Sequence, residues 1–139
     1  MSTYQKLGFA VDQVLSADQT LPANTTPVDS TNTVTLNNTK SDGVHVCVVA
    51  GSVTVELAGG NSLEIRPTVG LTASAVTTVL PSILIKQGVQ TDVSWAPGEL
   101  IAQFVIPAAL IGANRYLKLA YVTSANESDD KVDSFTTLR

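Results

Sequence analysis

His45 and Cys47 are the chain's lone histidine and lone cysteine, and they stand two residues apart in Val44-His45-Val46-Cys47-Val48-Val49-Ala50. In an extended strand that spacing puts both side chains on one face. A cysteine–histidine nucleophile needs contact between the two groups and a third group to orient the base. Here the neighbours are valines. Burial among them raises a thiol pKa and suppresses the thiolate. A zinc site on the same pair would have to draw two further ligands from carboxylates. The second concentration of chemistry is Asn126-Glu127-Ser128-Asp129-Asp130-Lys131-Val132-Asp133. Its oxygens are of the kind that hold Ca²⁺, but the spacing and the glycine of an EF-hand loop are missing. The expected reading is a solvated hairpin turn between two strands.

Nothing else forms a catalytic set. Asp12, Glu56, Glu64 and Glu99 fall on polar strand faces or in turns, so no carboxylate pair is marked for acid–base work. Serines are plentiful, yet no Gly-x-Ser-x-Gly elbow occurs. No glycine-rich loop is built to cradle phosphate. No cofactor is expected.

The elements that must carry these residues are strands. Val53, Val55 and Leu57 alternate with Ser52, Thr54 and Glu56, and Leu63 and Ile65 alternate with Ser62, Glu64 and Arg66. Val89, Thr91, Val93 and Trp95 share a face opposite Gln90, Asp92 and Ser94. Period two is the mark of a half-buried strand. Residues 44–50 are apolar on both faces except for His45 and read as a central strand. Residues 100–106 and 115–123 read as further strands. Turn chemistry interrupts these runs at Ser41-Asp42-Gly43, Gly51, Gly59-Gly60-Asn61, Gly70, Gln87-Gly88 and Pro97-Gly98. Pro67, Pro81 and Pro107 are placed at strand ends or edges, where a missing N–H is tolerated. One short helix is expected within 107–114, with Pro107 at its first position. Residues 15–30, polar and carrying Pro22 and Pro27, have few strand signals and are expected to be an ordered but irregular segment. The fold class is all-β: a jelly-roll-like sandwich of about eight to ten antiparallel strands with at most one short helix, in one domain over 1–139.

Composition narrows the function. Of the 139 residues 44% are hydrophobic and only 14% charged, against about 25% in an average soluble domain. The net charge is −4, and the eight Lys and Arg are scattered with no two adjacent. Nucleic-acid binding needs a basic stripe, so that role is set aside, as is an anionic membrane surface. No apolar run approaches a membrane span, and the first residues lack the pattern of a secretory signal. Synthesis in a cytoplasm is expected, and a single cysteine suits a reducing compartment. The Asn-x-Ser/Thr triplets at Asn24 and Asn126 carry little weight without such a signal.

Aromatic residues divide into two groups. Trp95, Phe104 and Tyr121 fall on apolar faces and are expected in the core. Tyr4, Leu7 and Phe9 near one end, Phe135 and Leu138 near the other, and Leu21 in the irregular segment are the expected interface residues, because termini rarely sit at a core centre. The extended segment 1–30 is expected in subunit contacts.

Three stretches resemble one family. Leu7-Gly8-Phe9 with Asp12-Gln13, Ala17 and Thr20, then Ser30-Thr31-Asn32-Thr33-Val34-Thr35-Leu36, is similar to the N-terminal third of tailed-phage capsid cement proteins of the Bordetella-phage jelly-roll type. That family pairs an F-x-x-x-Q strand with a later S-T-N-x-(I/V)-x-L strand. Asn114-Arg115-Tyr116-Leu117-Lys118-Leu119-Ala120-Tyr121 resembles its R-Y-L-R-L-x-Y strand. The resemblance covers the two ends of the chain. It implies a virion protein on the outer surface of an icosahedral capsid, with the major capsid protein and copies of itself, as a dimer or trimer, for partners. The competing expectations are a carbohydrate- or receptor-binding sandwich of a phage appendage and, less favoured, a small enzyme on a jelly-roll scaffold.

Overall fold

The computed structural model describes residues 11–36, 43–86 and 92–137, leaving aside the side chains of Val11 and Lys86. Within them the chain forms β1 (Val11–Thr20), β2 (Val28–Asp29), β3 (Val34–Thr35), β4 (Val44–Ala50), β5 (Val55–Leu57), β6 (Ser62–Gly70), β7 (Thr78–Val79), β8 (Ile83–Lys86), β9 (Val93–Trp95), β10 (Leu100–Ile106), α1 (Ala108–Ile111), β11 (Tyr116–Thr123) and β12 (Lys131–Thr137). All described strand pairs are antiparallel.

One sheet has the order β1-β12-β4-β10. In the other, β11 lies between β6 and the short strands β2 and β3, and β6 pairs on its far side with β7 and β8. Strands β5 and β9 make a separate ribbon. With the ribbon set aside and the broken strands β2/β3 and β7/β8 each taken as one, eight strands remain, in the orders 1-8-3-6 and 2-7-4-5. That is the double Greek key of a jelly roll. The described strands number twelve, more than the eight to ten expected from sequence, because two jelly-roll strands are broken and the ribbon adds its own pair.

The core lies between the sheets. Leu15, Val46, Val48, Ala50, Ile106 and Val132 come from one, and Leu63, Ile65, Val69, Leu117, Leu119 and Tyr121 from the other. Val55 and Leu57 extend it, and Trp95 and Phe104 pack against it half-buried. The alternation read from sequence is the reason: every second residue of a strand faces one way. Val53 departs from its pattern. It precedes β5 and is exposed, since the strand starts only at Val55. Val89 lies outside the described residues. Strand β4 sits between β12 and β10 and is apolar on both faces, as its sequence implies. Its second face, Cys47 and Val49, joins Phe135 and Val14 in a smaller apolar cluster.

Three expectations are corrected. Residues 15–30 are not an irregular segment throughout, because 15–20 belong to the ten-residue strand β1, paired along its length with β12. Its sequence hides this because register shifts break the alternation and Asp18 takes a left-handed φ of 50°. Pro67 lies inside β6, not at its end. It fits there because β8 pairs β6 only as far as Ile65 and β7 begins opposite Thr68, so Pro67 occupies the step between two short partners. The helix is a single turn, with Pro107 as its N-cap instead of its first residue.

Candidate functional site

Strand β4 places His45 half-buried and Cys47 fully buried. Cys47 is opposite Gln103 on β10 and Phe135 on β12. Burial pushes its thiol above the ordinary value. A nucleophile enclosed in this way is kept in its unreactive form.

The acidic stretch is not the solvated turn expected from sequence. It does connect β11 to β12, and Asn126 caps its own turn by accepting from the N–H (2.9 Å) and hydroxyl (2.7 Å) of Ser128. But Glu127 is only 8% exposed and Asp130 7%. The chain folds these carboxylates inward because backbone bonds tie the loop to the end of β1: Glu127 N–H donates to Pro22 O (3.0 Å) and Leu21 N–H to Asp130 O (3.0 Å). Asp130 Oδ2 also accepts from the backbone of Glu56 (3.2 Å). The result is a cleft of about 360 Å³ whose lining includes Glu56, Asp92, Glu127, Asp129 and Asp130. Burial, and then the adjoining Asp130 carboxylate, push the Glu127 carboxyl up to about 7. Among the described residues, no group of three or more His, Cys, Asp and Glu side chains is arranged to hold a metal ion.

Two of the expected interface residues belong to the interior. Leu21 is 1% exposed and Phe135 0%. Phe135 is near the end of the sequence but not of the sheet, because the jelly roll seats its last strand between β1 and β4. Leu21 follows β1 directly and is drawn under the 124–130 loop by its bond to Asp130. Tyr4, Leu7, Phe9 and Leu138 lie outside the described residues.

The described parts of the three stretches that carry the family resemblance, residues 12–20, 30–36 and 114–121, converge; Leu7-Gly8-Phe9 lie outside the described residues. On β1, Gln13 clamps the backbone of Thr35: its Nε2 donates to the Thr35 carbonyl (2.7 Å) and its Oε1 accepts from the Thr35 N–H (3.1 Å). Six residues on, Gln19 repeats the device, donating to Asp29 O (2.7 Å) and accepting from Thr31 N–H (2.9 Å). Between them Asn32 N–H reaches Leu15 O (2.8 Å). On the other side β3 pairs with β11, Val34 opposite Leu117 and Thr35 opposite Tyr116. Residues 30–36 thus bridge the edges of both sheets. Sequence reading picked out Gln13 only through the resemblance and missed Gln19 altogether; glutamines six apart on one strand face were the available signal.

Beneath this seam lies a buried hydroxyl chain. Ser16 Oγ donates to Gln19 Oε1 (2.5 Å), while Tyr121 Oη is 3.0 Å from Ser16 Oγ and 2.6 Å from Ser134 Oγ. Burial pushes the Tyr121 phenol up to about 12, so it stays protonated and serves as a hydrogen-bonding strut. Tyr121→Phe keeps the ring but takes the shared partner from Ser16 and Ser134. The expected result is a loss of about 1–3 kcal/mol, read from urea denaturation midpoints at unchanged m-value.

Asp18 makes the other tie from β1. Its carboxylate accepts from the N–H (2.8 Å) and hydroxyl (2.8 Å) of Ser52, and these bonds hold it below its usual range. Gly51 leaves the room, since a Cβ there would come within 2.5 Å of Asp18 Oδ1.

No family model, curated protein or solved structure matches the chain. Its functional reading therefore rests on the fold, the seam and the sequence resemblance.

Proposed function

We propose that the chain is a structural virion protein, not an enzyme, that decorates and staples the outer surface of an icosahedral phage capsid. The observation that carries this reading is the seam. The described parts of the stretches resembling cement proteins, the third of them far along the sequence from the first two, meet as β1, residues 30–36 and β11, in hydrogen-bonded contact within a jelly roll. A motif scattered by chance has no reason to close on itself in this way. The enclosed Cys47 thiol and the low share of charged residues suit the same role.

In this reading the partners are the major capsid protein and further copies of the chain, as dimer or trimer at a local symmetry axis. Each contact is modest, but many copies on one shell make the whole attachment strong through multivalency. The phenotype follows: capsids stripped of the chain lose resistance to heat and osmotic shock, and adding the protein back restores it. Equal resistance with and without the chain would contradict stapling. Saturable binding to a glycan array, with no capsid occupancy, would instead point to an appendage-type carbohydrate module.

A further inference from the structure

We propose that the 124–130 loop is a pH-operated latch: a proton on Glu127, held against Asp130, keeps it docked, and loss of that proton releases it. The groups sit one turn apart, with Asp130 N–H donating to Glu127 O (3.0 Å), and their side chains interact directly. Both are more than nine-tenths buried.

Among the described residues, the other charged groups lining the cleft are all acidic. Strand β5 contributes Glu56, the residue preceding β9 is Asp92, and the loop itself adds Asp129. Asp92 is engaged with the β5–β6 turn, accepting from Gly59 N–H (2.6 Å). Asn61 of that turn is the neutral group favouring the charged form of Glu127. Among the described residues, no basic side chain lines the cleft. Lys131, next in sequence, lies 4.0 Å from Asp18 instead. Two carboxylates in contact, desolvated and without a cation, cannot both ionise at low cost. One must keep a proton for the pair to stay buried, and that proton makes the attractive bond between them.

The sign follows from the upward shift. Glu127 holds its proton more tightly folded than unfolded, so its contribution to docking is complete below the ordinary carboxyl range, near 4.5, and is lost as pH rises through about 7. The bonds then at risk are those joining the loop to Pro22, Leu21 and β5. The latch works between the ordinary carboxyl range and neutrality, where a change of pH alters how firmly this end of the sandwich is closed.

Amide hydrogen exchange on the whole chain, by NMR between pH 4.5 and about 8, tests this. The N–H groups of Leu21, Glu127 and Asp130 are compared with that of Val48 in the core, after correction for intrinsic base catalysis. Opening of the loop is expected to grow about tenfold per pH unit between about 4.5 and 7 and to level off above 7, where docked and open loops alike have lost the proton, a rise of about 300-fold in all, while Val48 does not follow. Glu127→Gln, whose amide can donate to Asp130 at any pH, should flatten the rise; Asp130→Asn provides the same check from the other side if the first variant folds poorly. Loop exchange without excess pH dependence in the wild-type protein, or an unchanged rise in the folded variants, would overturn the latch.

Discussion

Replacing Phe135 by alanine is expected to cost about 3–5 kcal/mol of folding stability in the isolated chain, independent of protein concentration. The ring is fully buried on β12, opposite Cys47 of β4 and Val14 of β1, in the apolar cluster that also holds Val49. Removing it strips six heavy atoms from a packed site bordered by two paired strands that cannot close in, so a cavity term adds to the lost transfer energy. An interface role gives the opposite pattern: a melting temperature that changes with protein concentration in the wild type, and a variant monomer as stable as before. Chemical denaturation at two concentrations separates the two. Cys47 offers an independent readout, because a thiol silent to alkylation in the native protein should become reactive once Phe135 no longer shields it.

Gly43→Ala is expected to be of similar severity, about 3 kcal/mol or more. Gly43 has φ +103°, a region that side chains disfavour, and this strain alone is worth about 1–3 kcal/mol. A Cβ at this position would also run into the carbonyl oxygen of Ile106 and lie 3.1 Å from the backbone nitrogen of Ala108. Neither is a flexible side chain that can turn aside. The obstruction falls where β10 ends and α1 begins, opposite the start of β4. Relief requires the β4–β10 pairing to part at that end, and thermal melts should show the loss directly. By contrast, Gly60→Ala is strained only by its φ of +85°, since nothing lies within 4 Å of a Cβ built there, and its cost should be the smaller. Equal melting temperatures for the two variants would mean that the close approach at Gly43 is not what matters.

How much of this was legible depended on whether a residue's role is set by its neighbours in sequence. Strands β4 and β10 fall on the bounds read from their apolar runs, because each run is closed off by a turn, Gly51 after one and Pro97-Gly98 before the other. The turn at Gly59-Gly60-Asn61 is closed as its composition implies, by Asn61 N–H donating to Ala58 O (3.0 Å). Strand β1 was hidden for the opposite reason. Its Ser16, Asp18 and Gln19 are polar because their side chains are hydrogen-bonded to residues up to 105 positions away, and polar residues off the alternation look like a loop. The candidate interface shows the same limit. Phe135 lies close to the chain's end, yet topology places its strand at the centre of a sheet, and no local pattern announces that the last strand will be inserted between the first and the third. Glu127 and Asp130 read as solvated because acidic runs usually are. Their burial comes from the β5–β9 ribbon and the residues after β1 folding against them, which is a non-local event.

The seam between β1, residues 30–36 and β11 was legible in a different way. Gln13 and residues 30–36 and 114–121 were singled out by resemblance, Gln19 was not, and only their contacts give a physical reason for the types present. A glutamine can satisfy both backbone groups of one residue at a sheet edge, as Gln13 does for Thr35, and a shorter or aliphatic side chain cannot. That edge is otherwise open to pairing with another chain, so sealing it from within also limits non-specific strand addition.

The central claim is attachment to the outside of a capsid, and imaging tests it most directly. Cryo-electron microscopy of particles made with and without the chain should give a difference map with one compact β-sandwich per site, repeated on the outer surface at a local symmetry axis of the shell. A difference map with no ordered density on the outer surface, or with density confined to a tail or fibre, would contradict the account.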